Sequence, residues 1–262
     1  MNRRRMIWGA ALGLVLLAGA APAATPGYLT PGQTAEMYRV LPPPPPPPGS
    51  GTEADDKRAF AVTRALEGSP RWTMAASDVE QSPEAAFLDF ACALGVTLDD
   101  GAAPTLQTIF TRIRADARPF VDAPKDKWAR PRPYLSQSGN ICVEKTDALA
   151  KSAAYPSGHA TLSWAWGLIL AQLAPDRATE ILARARAYSE SRVVCGVHYP
   201  SDIEAGRLNG SALYAALQTN AEFRADMDKA KAEVAAARAT GKPRPNAEIC
   251  KVEADAESHR PW

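Results

Sequence analysis

Apolar residues along this chain recur at three- and four-residue spacing, the period of a helix with one buried face. Leu106, Ile109, Phe110 and Ile113 set the pattern over residues 103–118. The stretch SPEAAFLDFACALG, residues 82–95, opens on a Ser-Pro helix start and closes on Gly. The run TEADDKRAFAVTRAL from Thr52 places acidic residues early and basic residues late, as a helix dipole favours. Residues 158–173 are apolar nearly all round, with Leu162, Trp166, Leu168, Ile169 and Leu173, which predicts a central, buried helix. Further helices are expected over 174–194, from Pro200-Ser201-Asp202 onward, and over the Ala/Lys/Glu-rich residues 219–239. This last helix reads as solvent-exposed, and the tail after Gly241-Lys242-Pro243 reads as polar. Residues 119–155, rich in Pro, Asp, Lys and Ser, read as one long loop. No period-two strand and no internal repeat interrupts the series. The expected fold is all-α, a single compact helical domain with buried central helices.

The N-terminal texture differs. Arg3, Arg4 and Arg5 precede an apolar run from Met6 to about Ala20, and Ala21-Pro22-Ala23 supplies small residues for cleavage. Residues 1–24 therefore read as an export signal, which implies a periplasmic protein. The apolar run is shorter than the ~20 residues of a spanning helix. Residues 25–52 read as an extended leader containing seven consecutive prolines, Pro42 to Pro48, which favour a stiff polyproline strap. The helical domain is assigned to residues 53–262.

Charge narrows the partners. The formal net charge of +1 becomes −2 when the three N-terminal arginines are removed. That small value supports neither nucleic-acid binding nor a polybasic membrane contact. Cys92, Cys142, Cys195 and Cys250 match no zinc spacing. In an exported chain they point to two disulfides, with three connectivities open.

The candidate chemistry starts at AAYPSGHATLSW, residues 153–164. Ser157 suits a helix N-cap, Gly158 lets a ligand approach the backbone, and His159 puts an imidazole on the first turn. A helix start with free N–H groups suits an anion. Two other places hold charges that helix surfaces do not explain. PKDKWARPRP contains Lys125 and Arg132. SRVVCGVHYPSD contains Arg192, His198 and Asp202. Arg192 sits among valines, where a buried guanidinium needs an anionic partner. Three fixed cations exceed the need of one carboxylate and match the oxygens of a phosphoryl group.

The order Lys-x6-Arg-Pro, Pro-Ser-Gly-His and Ser-Arg-x5-His-x3-Asp resembles the three-part signature of the type 2 phosphatidic acid phosphatase superfamily. Here it stands as Lys125…Arg132-Pro133, Pro156-Ser157-Gly158-His159 and Ser191-Arg192…His198…Asp202. The leader, the length and the RVVCGVHYPSD context resemble the bacterial class A non-specific acid phosphatases. The resemblance implies a metal-independent acid phosphatase without cofactor. His198 would be the nucleophile, Asp202 its orienting carboxylate, and His159 the general acid and base. Lys125, Arg132, Ser157, Gly158 and Arg192 would bind the phosphate. It also implies a mildly acidic optimum, a homo-oligomer, and small phosphate monoesters such as nucleotides, aryl and sugar phosphates as substrates. No membrane association is expected after signal removal.

The residues by themselves leave rivals. His198, Asp202 and His159 could ligate zinc, although three cations would then surround a cation. The same pocket could hold vanadate, as in haloperoxidases, or bind phosphate without turning it over. A lipid phosphatase would need spanning helices. Arg130 lies outside the signature and is expected to be solvated, whereas Trp164 and Trp166 are expected in the core.

Overall fold

The computed structural model describes residues 25–38, 42–99 and 101–262; the expected export signal lies outside them. Among these residues there are twelve α-helices and no strand. The leader contains a helix, α1 (Pro31–Tyr38), where an extended segment was expected. Asp116 explains why the leader is ordered, because its carboxylate accepts hydrogen bonds from the Tyr28 and Leu29 N–H groups at 2.8 and 2.9 Å. A side chain at Gly27 would collide with that carboxylate. Pro42 is buried, and Tyr155 donates its hydroxyl to the Pro43 carbonyl, so the start of the proline run lies against the domain.

Next come α2 (Gly51–Thr63), α3 (Pro70–Ser77), α4 (Pro83–Asp89) and α5 (Ala91–Leu94). Ser50, Ser69 and Ser82 cap the first three, each accepting a backbone N–H on its side chain. The single helix expected over 82–95 is broken at Phe90 and ends, as expected, on left-handed Gly95.

The long helix α6 (Pro104–Trp128) corrects the expectation of a loop from residue 119. Pro119 and Pro124 lie inside it, where each removes a ladder hydrogen bond. Pro124 would have supplied the N–H for the Phe120 carbonyl. Asn209 supplies it instead, donating its side-chain amide at 2.7 Å from a helix 89 residues away in sequence. Leu106, Ile109, Phe110 and Ile113 are fully buried, as their spacing implies.

After the short α7 (Asp147–Lys151) comes α8 (Gly158–Leu173), followed by α9 (Ala178–Val194) and α10 (Pro200–Leu217). These three form the centre. Close approach is built from small residues: a Cβ at Gly206 or Gly210 of α10 would come within 2.5 or 2.6 Å of the Ser157 or Thr161 carbonyl. Gly167 likewise lets α8 meet Ala185 of α9. Trp166 is buried between them, stacked on Phe110 at 5.3 Å and edge-on to Tyr188 at 6.3 Å.

Two more helices complete the domain, α11 (Ala221–Thr240) and α12 (Ala247–Ser258). Neither matches its expectation fully. Phe223, Met227, Ala230 and Val234 bury one face of α11 in the main core. The supposed polar tail is helical because Cys250 is bonded to Cys92, and Ala256 packs with Met74 and Ala187. The second disulfide joins Cys142 to Cys195. No helix among the described residues is long and apolar enough to cross a membrane.

Candidate active site

The site is assembled where α8 and α10 begin and α9 ends. Ser157 caps α8, its hydroxyl accepting the Ala160 N–H at 3.3 Å, and its own N–H donates to the Asp202 carbonyl at 3.0 Å. The hydroxyl proton of Ser157 remains available for donation. Gly158 faces Val121, 3.3 Å from where its Cβ would stand, and lines a cavity of about 460 Å³ with Val121, Asp122 and Leu162.

The end of α9 explains the spacing between Arg192 and His198. Gly196, at φ +79°, reverses the chain, and the Val197 and His198 N–H groups both donate back to the Arg192 carbonyl. A side chain at Gly196 would also strike Arg64, which donates to the Val193 and Val194 carbonyls. The Cys142–Cys195 bond pins the same turn. His198 is thereby returned to the level of Arg192. Asp202 then serves two purposes at the start of α10. Its Oδ2 accepts the Tyr199 N–H at 2.8 Å as a helix cap and lies 3.5 Å from His198 Nδ1.

Arg132 fixes the state of His198. Its guanidinium donates to the Leu149, Ser152 and Val197 carbonyls, and Nη1 lies 3.2 Å from His198 Nε2. Guanidinium can only donate, so Nε2 is the acceptor and the ring proton sits on Nδ1, which lies 3.5 Å from Asp202 Oδ2 without a hydrogen bond to it. His198 and Asp202 are both buried. Burial, reinforced by Arg132, Lys125 and Arg192, holds the His198 imidazole well below its ordinary pKa. Burial also raises the Asp202 carboxyl, opposed chiefly by Arg130.

The remaining expected residues join the same field. Lys125, in the last turn of α6, donates to the Ala153 carbonyl and is pushed down to about 8 by burial and by Arg132. His159 is half-buried, with Nε2 3.0 Å from the Val79 carbonyl. Enclosure and the charge of Arg192 hold it well below the usual range. Arg192 is 3% exposed, yet its Nε and Nη1 have no hydrogen-bond partner. Burial pushes its guanidinium down to about 10. An unpaired buried guanidinium beside two neutral imidazoles needs an anion.

Arg130 corrects the expectation of a solvated side chain. It donates to Asp202 Oδ1 at 2.6 Å and to Asp56 Oδ2 at 2.8 Å, under the ring of Tyr199. Its one sequence signal was its place two residues before Arg132; Asp56 and the Val79 carbonyl gave none. Lys125, Arg130 and Ser152 also line a cavity of about 730 Å³. Among the described residues, no group of three or more His, Cys, Asp or Glu side chains is arranged to hold a metal ion.

Comparison with known proteins supports the same assignment of the fold. The PAP2 superfamily matches residues 105–224, which contain all three blocks of the signature. An acid phosphatase of Zymomonas mobilis subsp. mobilis is 40% identical over 221 residues, 84% of this chain and 82% of that protein. The chain belongs to the PAP2 superfamily. Among its relatives in this superfamily are a non-specific acid phosphatase of Providencia stuartii, 33% identical over 79% of this chain and 84% of that protein. Another, from Salmonella typhi, is 34% identical over 68% of this chain and 72% of that protein. As a bacterial acid phosphatase of the PAP2 superfamily, the chain is a hydrolase of small phosphate esters, and the unpaired Arg192 lies within the matched region.

Proposed function

We propose that this phosphatase cleaves a broad range of phosphate monoesters through a phosphohistidine on His198, without a metal ion. The observation that carries the reading is the pairing of an unpartnered, buried Arg192 with a His198 whose Nε2 is held unprotonated by Arg132. Lys125, Arg132, Arg192, the Ser157 hydroxyl and the Gly158 N–H supply donors for the phosphoryl oxygens. Such positioning and charge stabilisation is most of what phosphoryl transfer asks of a protein. A cation ligated by His198 and Asp202 would instead be repelled by Lys125, Arg132 and Arg192.

In the first step His198 Nε2 forms a bond to phosphorus while the ester P–O bond breaks. The leaving oxygen takes a proton from His159. With Nε2 of His159 bonded to Val79, Nδ1 is the atom that carries the transferable proton. The imidazolium formed on His198 keeps its Nδ1 proton toward Asp202, which Arg130 and the Tyr199 N–H hold in place. In the second step water attacks phosphorus, His159 takes the water's proton, and the P–N bond breaks to release phosphate.

An acidic optimum follows from the same electrostatics. His159 must be protonated to donate, and its depressed pKa confines that form to acid solution. His198 must be neutral to attack, and its own depression keeps it neutral there. A site gripping only the phosphoryl group discriminates weakly among leaving groups, so nucleotides, aryl phosphates and sugar phosphates are all expected substrates. Export to the periplasm and assembly into a homo-oligomer belong to the same proposal. The two disulfides and the lack of a spanning helix among the described residues agree with export.

The test is a rapid-mixing experiment on EDTA-treated protein with labelled substrate, quenched in base. Label on His198, recovered by peptide mapping, is the expected result. Turnover with no base-stable phosphoprotein and no loss in His198→Ala would overturn it.

A further inference from the structure

The acid group His159 is held by a backbone carbonyl, and that carbonyl is itself held. Val79 lies in the short link between α3 and α4. The residue before it, Asp78, is fully buried. Its carboxylate accepts from Arg184 Nη2 at 2.6 Å and Nη1 at 3.3 Å, and from the Ser191 hydroxyl at 2.5 Å. The residue after it, Glu80, accepts the Tyr188 hydroxyl on its carbonyl at 2.8 Å. Three consecutive residues are thus fixed: Asp78 by its side chain, Val79 by His159, and Glu80 by its backbone.

The side chains that anchor Asp78 and Glu80 come from one helix. Arg184, Tyr188 and Ser191 stand at i, i+4 and i+7 on α9, a single helical face. The next residue of α9 is Arg192, the unpaired cation of the site. The link is a turn whose own backbone bonds are few, Asp78 N–H to the Met74 carbonyl at 3.0 Å and Glu80 N–H to the Ser77 carbonyl at 3.5 Å, so these side-chain anchors add to the placing of the Val79 carbonyl. Arg71 adds a donor to Ser191 at 2.9 Å, while Asp89 and Glu253 lie against Arg184 at 3.7 and 3.5 Å.

We infer that Arg184, Tyr188 and Ser191 are positioning residues, which aim the His159 proton at the leaving group by clamping the Asp78–Glu80 link. The inference rests on the proposed role of His159 as general acid. It assigns catalytic work to buried side chains that would otherwise be regarded as packing. Because α9 also presents Arg192, the clamp sets the acid and the phosphate-binding cation in one frame.

A loose acid has a particular kinetic signature. It slows departure of a strongly basic alkoxide far more than departure of a nitrophenolate, which needs little protonation. The experiment compares kcat/KM for glycerol phosphate and p-nitrophenyl phosphate in wild type, Tyr188→Phe, Asp78→Asn and His159→Ala. Inhibition by inorganic phosphate is measured alongside as a report on binding. Tyr188→Phe removes one hydroxyl and keeps the ring stacked on Phe90 and edge-on to Trp166; it carries the test alone if Asp78→Asn does not fold.

The expected result is a drop of about tenfold in the glycerol-to-nitrophenyl ratio for the clamp variants, with phosphate inhibition unchanged. His159→Ala should lower that ratio by about 10²-fold or more, the scale of general acid catalysis. Equal losses on both substrates in Tyr188→Phe, with His159→Ala still selective, would overturn the clamp. Equal losses in His159→Ala itself would overturn the acid role, which is a separate failure.

Discussion

Arg184 and Arg192 stand on the same helix, about 12 Å apart along its axis at 1.5 Å per residue, and both are almost wholly buried, at 1% and 3% exposure. Their surroundings differ completely. Arg184 meets Asp78, Asp89 and Glu253 and also donates to the Asp89 carbonyl. Burial by itself would lower its pKa, but the three carboxylates more than reverse that. Arg192 has no carboxylate within ion-pair distance among the described residues, and two of its nitrogens have no partner. Its pKa falls to about 10 because burial, with Arg132 adding to it, outweighs the opposing influence of Tyr188 and Asp78. The same residue type in the same helix has its anions built into the fold at 184 and, under the proposed function, takes its anion from solution at 192.

The contrast is broken most directly by replacing each arginine with methionine, which fills similar volume without charge. Arg192→Met should lower kcat/KM on p-nitrophenyl phosphate by roughly 10³-fold, the loss expected for a guanidinium that stabilises a phosphoryl transition state. Its thermal stability should be unchanged or raised, because an uncompensated buried charge has been removed. Arg184→Met should do the reverse to the fold, costing about 3–5 kcal/mol by leaving Asp78 buried without its cation. Denaturant melts beside steady-state rates check both halves. Comparable destabilisation in the two variants would erase the distinction.

Acid–base behaviour sharpens the comparison at smaller scale. The crowd of carboxylates around Arg184 exceeds its charge. Burial, with Asp78 nearby, pushes Asp89 up to about 8, and burial also lifts Glu253 to about 7. Each holds its proton in the fold at pH values where the unfolded chain has lost it. Their contribution is therefore full below the ordinary carboxylate range and is lost as pH rises through about 7 and about 8. The depressed His159 and His198 act oppositely, their contribution being present above about 6.5 and lost as pH falls. Asp89→Asn should flatten the fall in stability from about pH 5 to about pH 8, read as melting temperature against pH. A wild-type stability that rises steadily across that window would contradict the sign.

Legibility in the sequence divides along the same line between local and distant causes. The start of α8 was readable because Ser157 caps its own helix, and Asp202 could be placed at the start of α10 for the same reason. The signature residues lie in three short blocks, and the structure brings all three together. What failed to show were effects that depend on distant partners. The helix through Pro124 depends on Asn209, and α12 depends on Cys92 and on the core around Met74. Arg130 looked solvated because neither Asp56 nor Asp202 is near it in sequence. Arg184 raised no expectation at all, for its three carboxylates come from a link, the end of α4 and the last helix.

The central claim is that the unpaired Arg192 of this site awaits a phosphate, and ligand-linked stability tests it without any appeal to turnover. Inorganic phosphate at 100 times its dissociation constant should stabilise the wild-type protein by about 2.7 kcal/mol at mildly acidic pH. Arg192→Met should show little of that gain over the same concentrations. No stabilisation of wild type by phosphate, or an equal gain in Arg192→Met, would contradict the account.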